Sequence, residues 1–188
     1  MFKKELRTKY KALRNDISME VLEDQSVAIA NKLLSIDIWK RTYFHLFLTI
    51  EEQKEVDTEF ILQILAGKDK EIVVSKSHFD TLEMTHYLLT DNTTFKKSAY
   101  NIYEPVDGIE VPTTKIDVVF VPLLAYDVNG NRAGYGKGFY DVFLSKCKKD
   151  VIKIGLSFFD PEPVIADVLP TDIRLDYCVT PRMIYNFH

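Results

Sequence analysis

The chain has 188 residues, 46% of them hydrophobic and 28% charged, with a formal net charge of −4. That length suits one domain spanning residues 1–188, large enough to need neither disulfide nor metal staple, and the acidic balance argues against a general nucleic-acid binder. Two widely spaced cysteines, Cys147 and Cys178, give neither a disulfide framework nor a zinc spacing, and no long apolar run or leader is evident, so a cytoplasmic protein without membrane contact is expected.

Phe2, Leu6, Tyr10, Leu13 and Ile17 recur at helical spacing, which predicts an amphipathic helix over residues 2–16. Lys3, Arg7 and Arg14 fall on an adjacent stripe of it. Ser18 is placed to cap a second helix reaching about residue 34, with Leu22, Ile29 and Leu33 inward. Residues 43–49 read as a buried strand. After a polar stretch, Asp57 or Thr58 caps a helix over 59–66 that Gly67 closes. Residues 71–75 and 84–90 read as strands with a turn near Asp80. Residues 91–116 lack periodicity, and loops of that length are usually functional or mobile. Residues 117–121 (DVVFV) have the apolar continuity of a strand buried on both faces, ended by Pro122. A helix over 139–147 and strands at 153–156 and 177–179 complete the chain. Strands alternating with helices predict an α/β domain with a mostly parallel sheet.

Four of the seven glycines lie within residues 130–138, in VPLLAYDVNGNRAGYGKGFYD. This stretch follows a buried strand and precedes a helix, the place where α/β sheets bind ligands. Glycines let amide N–H groups approach a phosphate, and the next helix points its positive end at the same anion. Lys137 adds a formal charge, and Arg132 a second. The segment is neither a Walker A loop nor G-x-G-x-x-G, and a glycine-rich surface turn with a hairpin at Asn129–Gly130 is the competing reading. Asp141, in the first turn of the following helix, suits either Mg²⁺ beside phosphates or simple helix-dipole stabilisation. Tyr135, Phe139 and Tyr140 flank the loop; Phe139 is expected in the core. His45, His78, His86 and His188 show no metal or triad spacing.

The segments KKELRTKYKALR, KEVDT, VPLLAYDVNGNRAGYGKGFYD and DYCVTP, in that order from residue 3 to about residue 181, resemble the 5-formyltetrahydrofolate cyclo-ligase family. The resemblance implies a three-layer α/β/α fold like that of sugar-phosphate isomerases and CoA transferases. It also implies ATP-dependent closure of 5-formyltetrahydrofolate to 5,10-methenyltetrahydrofolate, with Mg²⁺ and release of ADP and phosphate. It assigns ATP contacts to Lys3, Lys4, Glu5, Leu6 and Arg7, and to Arg132, Ala133, Gly134, Tyr135, Gly136, Lys137, Gly138, Phe139 and Tyr140. Lys137 and Arg132 carry the catalytic charge. Ile50, Glu55, Tyr100 and Tyr140 are the implied folate contacts, and Asp141 and Asp176 the implied metal carboxylates. The family often shows Arg or Leu where this chain has Ala133 and Tyr135, and Trp-Asn where it has Tyr100–Asn101. A monomer or weak homo-oligomer is expected. A non-catalytic nucleotide or phosphosugar sensor on the same fold, and an RNA- or acidic-partner binder using the basic N-terminus, are the rival readings.

Overall fold

The computed structural model describes residues 1–98 and 102–188. In chain order the elements are α1 (Lys3–Asn15), α2 (Met19–Leu33), β1 (Tyr43–His45), α3 (Glu59–Gly67), β2 (Glu71–His78), β3 (Glu83–Leu88), β4 (Phe95–Lys97), β5 (Tyr103–Pro105), β6 (Val118–Pro122), β7 (Ala125–Tyr126), β8 (Arg132–Ala133), α4 (Phe139–Ser145), β9 (Ile152–Leu156), β10 (Tyr177–Val179) and β11 (Ile184–Asn186).

One seven-stranded sheet, in the order β11-β10-β9-β6-β1-β2-β3, organises the molecule. Its interior pairs are parallel, and antiparallel β3 and β11 close its two edges. The strands alternate their side chains between two cores, as a pleated strand must. Val118 and Phe120 of β6 join Phe44, Ile154 and Val179 beneath α2 and α3. Val119 and Val121 point the other way, into a cluster with Val73, Phe143, Leu144 and Cys178. Helices therefore cover both faces of a mostly parallel sheet, the three-layer α/β arrangement expected from the sequence.

α1 belongs to neither face. It lies against the β7–β8 hairpin, where Leu6 and Tyr10 pack with Leu124, Ala125, Ala133 and Ile165. Its buried stripe is Lys3, Leu6, Tyr10 and Arg14, whereas Phe2 and Leu13 are exposed. The helix is thus turned so that two cations replace two of the expected apolar contacts. Partners for those cations inside the protein make this possible: Asp172 for Lys3, and Leu123 O with Tyr135 for Arg14.

Other boundaries differ from expectation for local reasons. β1 ends at His45, because only Phe44 and His45 pair with β6. The following residues leave the sheet, held by Thr58 Oγ1 donating to Phe47 O (2.8 Å) and Thr49 Oγ1 donating to Val56 O (3.0 Å). Ser18 caps α2 as expected, accepting from the Val21 amide at 3.3 Å. α3 runs through Gly67, and the left-handed residue that follows is Asp69 (φ 53°). Asp57, not Thr58, receives the Glu59 amide (2.9 Å), as Thr58 is engaged elsewhere. Within 91–116 a short β4–β5 hairpin forms. The edge strand β11, too short and mixed to stand out in sequence, pairs antiparallel with β10.

Candidate active site

The site is assembled where the β6–β9 end of the sheet meets α1. β6 delivers the chain into the β7–β8 hairpin, whose turn is built around Asp127. Its Oδ1 accepts the amides of Asn129 (2.9 Å) and Asn131 (3.0 Å), and Oδ2 accepts the Ile165 amide (3.0 Å). Gly130 adopts φ 80° in this turn, with Phe187 packed where a Cβ would sit. The hairpin expected at Asn129–Gly130 is therefore present, and it fixes where the loop begins.

Residues 134–138 then run as an open loop. Among the described residues, none of their amide N–H groups has an acceptor. Gly136 (φ 94°) and Gly138 (φ 82°) take left-handed conformations that side chains resist. A Cβ on Gly136 would also approach the Arg7 guanidinium carbon at 3.1 Å. Arg7 Nε donates to Gly134 O at 2.9 Å, so α1 holds the loop by its carbonyl side. Lys137 is exposed, and among the described residues no carboxylate pairs with it or with Arg7. Bare amides beside two such cations form a local field suited to a polyanion.

The other candidate residues fall into distinct places. Arg132 is buried and donates to Asp141 Oδ1 (2.7 Å) and to Ile173 O. Burial pulls its pKa down, and Asp141 opposes that shift. Asp141 Oδ1 also accepts the Ile173 amide (3.0 Å). Lys3 pairs with Asp172, and its amide donates to Asp167 Oδ1 (2.7 Å). Burial pushes the Asp172 carboxyl up, but Lys3 and the Leu169 amide more than offset this, leaving it below its usual value. Lys4 is exposed, Glu5 caps its own helix by accepting the Phe2 amide (2.9 Å), and Leu6 and Ala133 are core residues. Phe139 is half-buried, edge-on to Phe79 at 5.0 Å.

Glu55 is only 2% exposed. Its Oε2 accepts the Ile50 amide (2.8 Å), and its Oε1 accepts the Tyr135 hydroxyl (2.6 Å). Glu55, Ile50 and the glycine loop are therefore joined directly. Burial raises the Glu55 carboxyl above its usual range, while Tyr135, the Ile50 amide and the charge of Arg14 act against the rise. Burial also raises the Tyr140 phenol, the Glu55 charge adding to that effect and Arg132 opposing it. Tyr140 thus feels both halves of the site. Its ring packs edge-on against His45 at 5.9 Å. His45 and His86, both buried, stand behind it with Nδ1 and Nε2 respectively lacking a partner among the described residues. Burial lowers both histidines, His86 to about 4.

Asp176 accepts the Lys153 amide (2.7 Å) and pairs with its ammonium. It lines an open cavity of about 390 Å³ with Asp172, Ile173 and Phe187. Among the described residues, Asp141 and Asp176 share no partner and no three His, Cys, Asp or Glu side chains cluster as a metal cage. Asp141 does fit a metal delivered with phosphate: its Oδ2 has no partner among the described residues, and Mg²⁺ commonly takes one or two carboxylates plus phosphate oxygens. Tyr100 and Asn101 lie outside the described residues. Both cysteines are free, and among the described residues no helix is long and apolar enough to cross a membrane.

Sequence reasoning missed Asp172 and Asp127, and placed Arg14 on the cationic stripe of α1 without giving it a role. Arg14 carried a usable signal, since it completes the Lys3, Leu6, Tyr10 spacing of one helix face. Asp172 and Asp127 act through contacts distant in sequence that no local pattern marks.

Comparison with known proteins matches residues 1–181 to the profile of the 5-formyltetrahydrofolate cyclo-ligase family. A mouse 5-formyltetrahydrofolate cyclo-ligase is 28% identical over 153 residues, covering 77% of this chain and 74% of that protein. A Haemophilus influenzae 5-formyltetrahydrofolate cyclo-ligase is 27% identical over 163 residues, covering 83% and 85%. The solution structure of Aquifex aeolicus 5,10-methenyltetrahydrofolate synthetase superposes with a TM-score of 0.84 at 30% identity, covering 100% of this chain and 94% of that one. The Mycoplasma pneumoniae 5,10-methenyltetrahydrofolate synthetase shares the fold, with a TM-score of 0.77 at 23% identity, covering 96% and 99%.

Proposed function

The chain belongs to the 5-formyltetrahydrofolate cyclo-ligase family and is a ligase, and from that premise we propose that it closes 5-formyltetrahydrofolate to 5,10-methenyltetrahydrofolate at the expense of ATP, releasing ADP and phosphate. The observation that carries the ATP half of this reading is the run of loop amides at residues 134–138 with no acceptor among the described residues, set beside Arg7 and Lys137.

The N5-formyl carbon is amide-like and its oxygen is a poor leaving group. Transfer of the γ-phosphoryl group to that oxygen converts it into a good one. The N10 amine then attacks the carbon and gives up its proton to water, and phosphate departs with the former formyl oxygen to leave the methenyl bridge. Phosphoryl transfer asks a protein chiefly for positioning and charge neutralisation. The loop amides, Arg7 and Lys137 supply both in this proposal, with Lys3 one helical turn away. Arg132 acts from beneath the loop through Asp141. Mg²⁺ would neutralise the phosphate oxygens, with Asp141 its better-suited carboxylate and Asp176 the second candidate. Glu55 and Tyr140, with Ile50 and Tyr100, make up the folate side, where a carboxylate steadies cationic character on the ring nitrogens during closure. The proposed setting is the cytoplasm.

Incubation with Mg-ATP and 5-formyltetrahydrofolate tests this directly. Growth of the methenyl chromophore with matching ADP release is the expected result. A folded protein yielding neither product nor ADP would overturn the proposal.

A further inference from the structure

Arg14 is the most deeply buried cation among the described residues, at 3% exposure. Its Nη2 donates to Leu123 O, at the entry to the hairpin. Its Nη1 donates to the Tyr135 hydroxyl at 2.9 Å and reaches Gln53 O at 3.5 Å. The hydroxyl in turn donates to Glu55 Oε1 at 2.6 Å, and Glu55 Oε2 accepts the Ile50 amide. The polarity runs one way: guanidinium to phenol, phenol to carboxylate. One side chain of α1 thus ties together the loop over residues 134–138, the segment before Glu55 and the end of β6.

Packing alone does not explain this arrangement. Arg14 Nε is buried with no acceptor among the described residues, and a buried ion can often be replaced by an apolar side chain without loss of stability. A carboxylate sealed from water tends to take up a proton, since low dielectric disfavours its charge. Protonated, it would become a hydrogen-bond donor at one oxygen and lose the charge that suits it to a cationic ring nitrogen.

We propose that Arg14 and Tyr135 form a buried positioning relay that keeps Glu55 an acceptor-only carboxylate on the folate side of the site. This rests on the folate assignment of Glu55 made above. Neither Arg14 nor Tyr135 touches the reacting atoms in this role; both act through Glu55. Arg14 from α1, Tyr135 from the loop and Tyr140 from α4 are the titratable and charged groups that face Glu55 among the described residues. Tyr140 remains neutral, so Arg14 is the cation that balances the carboxylate.

The test is a carboxyl ¹³C NMR titration of protein labelled at glutamate, with the Glu55 signal assigned by its disappearance in Glu55→Gln. Tyr135→Phe and Arg14→Met should each move the Glu55 titration to higher pH. The double variant should move it further than either single change, because the Tyr135 hydrogen bond and the Arg14 charge each favour the carboxylate. Arg14→Lys should restore part of the shift. In turnover, the folate KM at a pH within the shifted range should rise about tenfold, as expected for losing a hydrogen bond to a charged group. A Glu55 titration unchanged in folded Tyr135→Phe protein overturns the relay. If Arg14→Met does not fold, Tyr135→Phe decides alone. The carboxyl titration needs no turnover, so failure of the cyclo-ligase reading would appear separately, as absent product from the unsubstituted protein.

Discussion

Two glycine-containing turns follow one another in this chain, and they behave oppositely. The turn at residues 127–131 is self-sufficient: the Asp127 carboxylate takes the amides of Asn129 and Asn131, the Asn131 side chain and the Ile165 amide. Among the described residues, the backbone of the loop at residues 134–138 is held through its carbonyls, Gly134 O by Arg7 and Gly138 O by the amides of Asp141 and Val142, and its one anchor to buried groups is the Tyr135 side chain. Glycine makes both conformations possible, so glycine content does not separate a structural turn from a binding loop. The supply of acceptors does. A turn that carries its own carboxylate has nothing left to offer an anion, whereas a loop with bare amides and nearby cations does.

The sharpest way to break the contrast is to remove the acceptor. Asp127→Ala should destabilise the protein by about 3 kcal/mol or more, since four donors, the buried Ile165 amide among them, lose their partner at once. Denaturant unfolding monitored by fluorescence reads this. A loss no larger than that of an exposed lysine substitution would mean the turn is not the fixed base described. Next in size is Asp141→Asn, which weakens the contact to buried Arg132 and should cost roughly 1–3 kcal/mol, Asp141 being partly exposed. The same variant should weaken the Mg²⁺ dependence of turnover. A stability loss with an unaltered Mg²⁺ titration would leave Asp141 as the partner of Arg132 alone.

A glycine pair sharpens the comparison further. Gly130→Ala combines φ 80° with a Cβ 2.8 Å from the Phe187 ring and 3.0 Å from Leu175 O, and should cost about 1–3 kcal/mol. Gly136→Ala also meets a positive φ, but its neighbour is the far end of the Arg7 side chain. It should cost about 1 kcal/mol and act more strongly on ATP affinity, because Arg7 must shift. Thermal melts and nucleotide titration of both variants check this. Equal effects of the two on ATP affinity would erase the distinction between the turns.

How much of this was written locally in the chain depends on the range of the contacts. Helix faces and buried strands were readable because their signals are periodic: Leu22, Ile29 and Leu33 are inward as expected, and the central strand is Val118–Pro122, one residue on from the expected 117–121, with Pro122 paired inside it. The position of the glycine loop was readable from its strand-to-helix context. The orientation of α1 was not, because Lys3 and Arg14 turn inward only once Asp172 and Tyr135 are present to receive them. Those partners lie more than a hundred residues away. The pairing of Asp141 with Arg132 and of Asp176 with Lys153 was hidden for the same reason. Charge partners across a fold have no spacing rule, so sequence identifies the charges and only the fold says which are already neutralised.

That distinction sets the smallest stability effect and the most telling ligand effect. Lys137 is exposed, and among the described residues no carboxylate reaches it, in contrast to Lys3, Arg132 and Lys153. Lys137→Ala should leave the melting temperature unchanged, as surface substitutions away from buried networks do. It should nevertheless weaken ATP binding about tenfold, the order expected for one charge-assisted contact to phosphate. The loss should shrink as salt is added, because the site is open to counterions. A melted Lys137→Ala protein would mark the lysine as part of the scaffold. Unchanged ATP binding would mean the polyphosphate lies away from the bare amides, and that the difference between the two turns has another origin.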